Sequence, residues 1–192
     1  GFQDVVMVTL GTGVGGGVIM NGKIVAGNRG LGGELGHITV NRDESEKCNC
    51  GNKGCLEQYA SATGVVKIAK RLLAERYSDF MIRNVEHLSA KKIFDAAKKK
   101  DGIAVEAVET LANYLGMAMA TVTLTIDPDV FVIGGGVSNA GEILVNTIEH
   151  YYKKYLSISE KRAKIVLASL GNDAGIYGAA RMVLDQDVVE EE

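Results

Sequence analysis

Apolar residues in the first quarter of the chain form short runs broken by glycine; further on they recur at helical spacing. Residues 4–10 (DVVMVTL) read as a strand. Residues 18–20 and 23–25 are two brief apolar runs around Asn21-Gly22, which predicts a β-hairpin. A flexible turn follows over 27–33, then ELGH at 34–37 and a short strand over 38–40. Residues 41–55 are polar. From Leu56 the period changes: Val65, Val66, Ile68, Ala69, Leu72 and Leu73 mark one helix, and Ile93, Phe94 and Ala97 mark a short amphipathic one over 90–100. Residues 77–89 connect the two.

A long helix is predicted over 102–126, with Ala104, Val108, Leu111, Leu115, Met119, Val122 and Ile126 on one stripe. Its later part is apolar nearly all round, which predicts burial, and Asp127-Pro128 ends it. The run VFVI at 130–133 suits a buried parallel strand. After Gly134, Gly135 and Gly136, the pair Asn139 and Glu142 reads as a capping box opening a helix to about residue 155. A last strand over 165–167 leads through Gly171-Asn172-Asp173 into a small-residue helix over 174–184. The order β-hairpin-β, helices, β-α-β-α predicts an α/β domain with a mixed sheet.

The glycines of LGTGVGGGVIMNGK, residues 10–23, let another group approach the main chain closely, and phosphate oxygens are the usual visitor. Gly11, Gly13 and Gly16 satisfy the dinucleotide fingerprint, but that fingerprint needs a helix opening at its last glycine. A hairpin follows instead, so the reading is a phosphate-contacting loop between antiparallel strands; the bland alternative is a glycine cluster without a ligand.

Composition removes several function classes. With 192 residues the core needs no disulfide staples, and a net charge of −3 argues against a nucleic-acid surface. Lys91, Lys92, Lys98, Lys99 and Lys100 lie on a helical stretch and read as a solvated face. No apolar run reaches transmembrane length, and no secretory leader opens the chain, so the cytoplasm is the expected compartment. It opens on Gly1, almost directly in a strand, as expected of a processed chain or a piece of a longer one.

The sharpest signal is Cys48-x-Cys50-x4-Cys55 with His37 upstream, the donor set of a tetrahedral structural zinc. Disulfides Cys48–Cys50 or Cys50–Cys55 with one free thiol are the competing reading. Glu34 lies three residues before His37 and Glu57 two after Cys55, so a bridging metal would draw two carboxylates together beside the second imidazole nitrogen. Two carboxylates and an imidazole suit a polyhydroxylated ligand; the alternative leaves Glu34 and Glu57 as surface charges.

In this order, LGTGVGGG, GGELGH, CNCGNKGCLE, VIGGGVSNAG and LGNDAGIYGAA resemble the ROK family of bacterial sugar kinases and sugar-responsive repressors, over essentially the whole chain. The likeness is nearest to the ROK glucokinases of Gram-positive bacteria. It implies an actin-like, ribonuclease-H-like ATPase lobe with a mixed sheet, a helical insertion and a zinc-knuckle loop. It implies ATP with Mg²⁺ as phosphoryl donor, glucose or a related hexose as acceptor, structural Zn²⁺, and at least a homodimer. Residue by residue, Gly11, Thr12 and Gly13 match the second phosphate loop, and Gly134, Gly135 and Gly136 the turn beside the adenosine. Glu34, His37 and Glu57 match the sugar contacts, while His37, Cys48, Cys50 and Cys55 match the zinc ligands.

The family's first phosphate loop and its general-base aspartate would precede LGTGVGGG and are not in this sequence. Residues 1–192 are therefore expected to be the C-terminal lobe, holding no catalytic base and inactive alone. The rivals are kinases for fructose, mannose or N-acetylmannosamine, the sensing half of a ROK repressor, and a zinc-stabilised assembly module.

Overall fold

A computed structural model describes residues 1–76, 81–84 and 86–171. Among the described residues, five strands form one mixed sheet in the order β3-β2-β1-β4-β5. Strands β1 (Val5–Leu10), β2 (Val14–Met20) and β3 (Lys23–Ile24) are an antiparallel meander, while β4 (Val130–Gly134) runs parallel to β1 and β5 (Lys164–Leu167) parallel to β4. Asn21 and Gly22 both take positive φ, as the tight hairpin turn requires.

The glycine stretch is shorter as a loop than expected. Only residues 11–13 form the turn, and Gly15, Gly16 and Gly17 lie inside β2. A Cβ on Gly16 would stand 2.3 Å from the carbonyl oxygen of Gly33, so the strand accepts glycine there because another backbone presses on it.

Four α-helices are described: α1 (Ala62–Glu75), α2 (Ala90–Lys98), α3 (Gly102–Ile126) and α4 (Glu142–Tyr155). Helix α3 touches α1, α2 and α4, and its Ala104, Leu111, Leu115 and Met119 join Val6, Val8, Leu10, Phe131 and Ile133 in one buried core. Asp101 caps α3, accepting from the amide of Ala104 at 2.9 Å. Asp127 closes it in the left-handed region, one residue before the proline.

Three expectations need correcting or setting aside. Residues 38–40 are not a strand; they make one bridge, Thr39 to Cys55, because the amides of Val40 and Asn41 turn to the carbonyl of Gly54. The capping box at Asn139 does not form either: residues Gly136–Ala140 are a 3-10 turn, and Gly141 caps α4 without a side-chain bond. Residues 172–192, with the expected helix over 174–184, lie outside the described residues. Among the described residues no helix is long and apolar enough to cross a membrane.

Candidate functional site

Parallel pairing sets the two glycine turns side by side. Thr9 is in register with both Gly15 of β2 and Gly134 of β4, so the turn at Gly11–Thr12–Gly13 and the turn at Gly134–Gly135–Gly136 leave the same edge of the sheet. Ligands of open α/β sheets bind beyond the carboxyl ends of parallel strands, as these two turns are placed. Gly135 has φ +82°, and a Cβ on it would lie 2.6 Å from the carbonyl oxygen of Leu10, so the second turn is pressed onto the root of the first. The amide of Ala62 donates to the carbonyl of Gly11, which anchors the first turn to the start of α1.

Beyond the second turn lies a cavity of about 360 Å³ between Gly136, Val137 and Asn139 on one side and Phe94, Asp95 and Lys98 of α2 on the other. Lys98 therefore borders a recess as well as belonging to the solvated face expected of it. A second cavity, about 330 Å³, joins Thr12 and Gly13 to Lys47, Glu57 and Thr63.

The stretch between Glu34 and Glu57 borders this second cavity through Lys47, Cys48, Asn49 and Glu57. A 3-10 turn (Leu35–His37) presents His37, and a second one (Leu56–Gln58) presents Glu57 straight after Cys55. Between them the knuckle is closed by the Lys47–Lys53 bridge and by the amide of Cys48 on the carbonyl of Asn52 at 2.7 Å. Gly54 has φ +72° and its α-hydrogens face the carbonyl of Asn41, where a Cβ would come within 1.6 Å of the oxygen.

His37, Cys48, Cys50 and Cys55 come together here, with all four donor atoms within 4.8 Å of one another. Cys50 Sγ lies 3.6 Å from Cys55 Sγ, and Cys48 Sγ lies 3.8 Å from His37 Nδ1. Donors around a tetrahedral zinc stand about 3.5–3.8 Å apart, so the group fits that ion. No disulfide forms, and all three cysteines are free. Burial and the hydrogen bond to Glu57 push the Cys48 thiol up to about 12, and burial also raises Cys55. Exposed Cys50 is lowered by the amide of Asn52. A metal entering this group displaces protons from all three sulfurs, so its affinity rises with pH.

The carboxylates flank the imidazole. Glu34 Oε2 is 3.8 Å from Nε2, and Glu57 Oε1 is 3.9 Å from Nδ1. With a cation on Nδ1, the proton of His37 sits on Nε2, making that edge a hydrogen-bond donor beside an acceptor. Glu57 is mostly covered and accepts from the Cys48 thiol at 2.8 Å, while its other oxygen lies against Gly13, where a Cβ would come within 2.6 Å. Glu34 is the more exposed of the two. Chemically the site offers two acidic acceptors and one donor at fixed spacing, directly beside a glycine turn.

One group escaped the sequence reading. Glu44 is 6% exposed and accepts two bonds from Arg71 of α1, each 3.1 Å, and one from the Tyr59 hydroxyl at 2.7 Å. Those bonds, led by the Arg71 guanidinium, hold its carboxyl down at about 2 from the usual 4.5. A depressed carboxyl stabilises the fold above its unfolded value. That contribution, about 2 kcal/mol after solvent screening at half-exposed Arg71, is complete above pH about 4.5 and lost as pH falls toward 2. Glu44→Gln should flatten this part of the acid-unfolding curve measured by circular dichroism.

A family model described as ROK family matches residues 1–186. The chain belongs to the ROK family. Glucokinase from Halalkalibacterium halodurans is 42% identical over 191 residues, covering 97% of this chain and 58% of its own length. The structure of a ROK family glucokinase from Streptomyces griseus, in complex with glucose and AMPPNP, superposes with a TM-score of 0.83 at 36% identity, covering 95% of this chain and 61% of that one. A xylose repressor from Caldicellulosiruptor bescii is 29% identical over 185 residues, 95% of this chain and 46% of the repressor. This ROK chain thus spans about three fifths of its kinase relatives and shares their actin-like ATPase fold.

Proposed function

We propose that this chain is the C-terminal lobe of an ATP-dependent glucokinase and phosphorylates the 6-hydroxyl of glucose together with a preceding lobe. The observation that carries the reading is the placement of Glu57, which touches the metal cluster through Cys48 and the phosphate-type turn through Gly13. A sugar held there has its hydroxyls on carboxylates and its phosphoryl donor on the adjoining turn.

Zinc on His37, Cys48, Cys50 and Cys55 is structural: it supplies no chemistry to the sugar and fixes the backbone that carries Glu34 and Glu57. Glu34 and Glu57 accept sugar hydroxyl protons, and Nε2–H of His37 donates to a sugar oxygen. The amides of Thr12 and Gly13 and the hydroxyl of Thr12 face the phosphates, which enter with Mg²⁺, while the amide of Gly11 donates to the carbonyl of Gly13 and holds the turn's shape. The turn at Gly134, Gly135 and Gly136 borders the adenosine, and the recess toward Phe94 and Asp95 has room for its base. The general base that takes the 6-hydroxyl proton belongs to the preceding lobe, and in-line transfer needs both walls of the cleft.

Support comes from the 42% identity to a glucokinase and the likeness to a glucokinase bound to glucose and AMPPNP. The sensing half of a repressor is the second reading, since a repressor matches 95% of the chain. The unobstructed turn at Gly11–Gly13, beside a carboxylate and an open cavity, favours the enzyme. Full-length protein should make glucose 6-phosphate from glucose and Mg-ATP in a coupled assay, and residues 1–192 alone should give no turnover above background. Sugar-dependent release from operator DNA without turnover would replace this reading by the repressor.

A further inference from the structure

Buried Glu44 raises a question that sugar and nucleotide binding leave unanswered. It sits in a polar loop, where a carboxylate usually points to water, and burial of an ion is costly unless every lone pair is used. Here both oxygens are occupied. Arg71 grips Oε1 and Oε2 through Nη2 and Nη1, Tyr59 donates to Oε2, and the loop's own amide at Glu46 donates to Oε1 at 3.1 Å. Tyr59 in turn accepts from Asn41 Nδ2 at 2.9 Å. The side-chain amide of Gln58 adds a bond to the carbonyl of Glu46 at 3.1 Å.

These bonds join the segments that bring the metal donors. Asn41 lies on the stretch leaving His37, Glu44 on the stretch entering Cys48, and Tyr59 just after Cys55 and Glu57. The bonds run in series from Asn41 to Tyr59 to Glu44, and Glu44 ends on the Arg71 guanidinium of helix α1. Arg71 also bonds Glu46 at 2.8 Å and Lys67 bonds Glu46 as well, so α1 holds the stretch entering Cys48 at two carboxylates, of which Glu44 is the buried one.

We infer that Glu44, Tyr59 and Arg71 form an anchor that pre-orders the cysteine knuckle and thereby sets its metal affinity. The unit is a positioning device, because none of the three lies among the four donors. Ordering the loop before the ion arrives removes an entropy cost that binding would otherwise bear. The planar fork of Arg71 matters here, since a lysine offers one point of contact in its place. This inference rests on the metal reading above.

The test measures zinc affinity of the full-length protein by competition with a chromophoric chelator, and amide exchange of residues 43–48 after metal removal. Arg71→Met should weaken zinc binding about 10- to 100-fold, as loss of outer partners of a metal site does, and speed exchange in that loop. Tyr59→Phe should cost about 5- to 30-fold, since the hydroxyl both donates to Glu44 and accepts from Asn41. Glu44→Gln combined with Arg71→Met removes both charges, so no uncompensated ion is left buried; it should remain as weak as Arg71→Met. Arg76→Met is the control. Arg76, the C-cap of α1, makes an equally bidentate pair with Glu106 of α3, away from the knuckle, and its loss should leave zinc affinity within about twofold. Wild-type affinity in Arg71→Met, or recovery of it in the double variant, would overturn the anchoring role alone. Absence of zinc binding in the wild type would overturn the metal reading first, and the anchor with it.

Discussion

Cys55→Ser is expected to lower zinc affinity by more than about 100-fold, beyond what loss of an outer partner costs, because it removes a donor itself. Cys55 is wholly buried and is the hinge of the knuckle: it pairs with Thr39 across an isolated bridge and caps the 3-10 turn Leu56–Gln58 that carries Glu57. Its serine variant should hold substoichiometric zinc by atomic absorption, and residues 41–57 should become protease-sensitive. The consequence would reach the proposed sugar contacts, because His37 would lose the metal that sets its tautomer and Glu57 the ordered turn that carries it. Unchanged zinc content together with unchanged proteolysis would mean that these donors do not hold a metal.

Glu57→Gln carries the second large effect. The amide keeps the shape of the side chain but gives up the charge and one of two acceptor oxygens, and hydrogen bonds to charged acceptors are about twice as strong as neutral ones. If the full-length protein is the proposed glucokinase, its kcat/KM for glucose should fall about 100-fold while zinc content stays at the wild-type level. Glu34→Gln should cost less, about tenfold, since Glu34 is largely in solvent and can be replaced in part by water. Equal losses at the two positions would contradict the unequal burial on which this ranking rests.

The elements that were legible in the sequence are those governed by neighbours in the chain. Helix α3 runs over the expected residues because its apolar stripe and the Asp127-Pro128 stop are local signals. The hairpin follows from Asn21-Gly22, and the donor set from the spacing of sulfurs beside one histidine. What stayed hidden depends on contacts between distant segments. Gly15–Gly17 read as loop, yet they pair with Met7–Thr9 of β1 as strand, and the backbone at Gly33 is what requires glycine at Gly16. Asn139 resembled a cap, but the turn beginning at Gly135 consumes it and hands the role to Gly141. Glu44 and Arg71 stand 27 positions apart, and no periodicity links a loop carboxylate to a helix guanidinium.

The central claim is that one cation, held by His37, Cys48, Cys50 and Cys55, sets the geometry of the acidic pair beside the glycine turn. Zinc K-edge X-ray absorption of the purified protein tests it most directly. The account predicts one zinc per chain with a first shell of three sulfurs at about 2.3 Å and one nitrogen at about 2.0–2.1 Å. A first shell of oxygen and nitrogen alone, with no sulfur scattering, would contradict it.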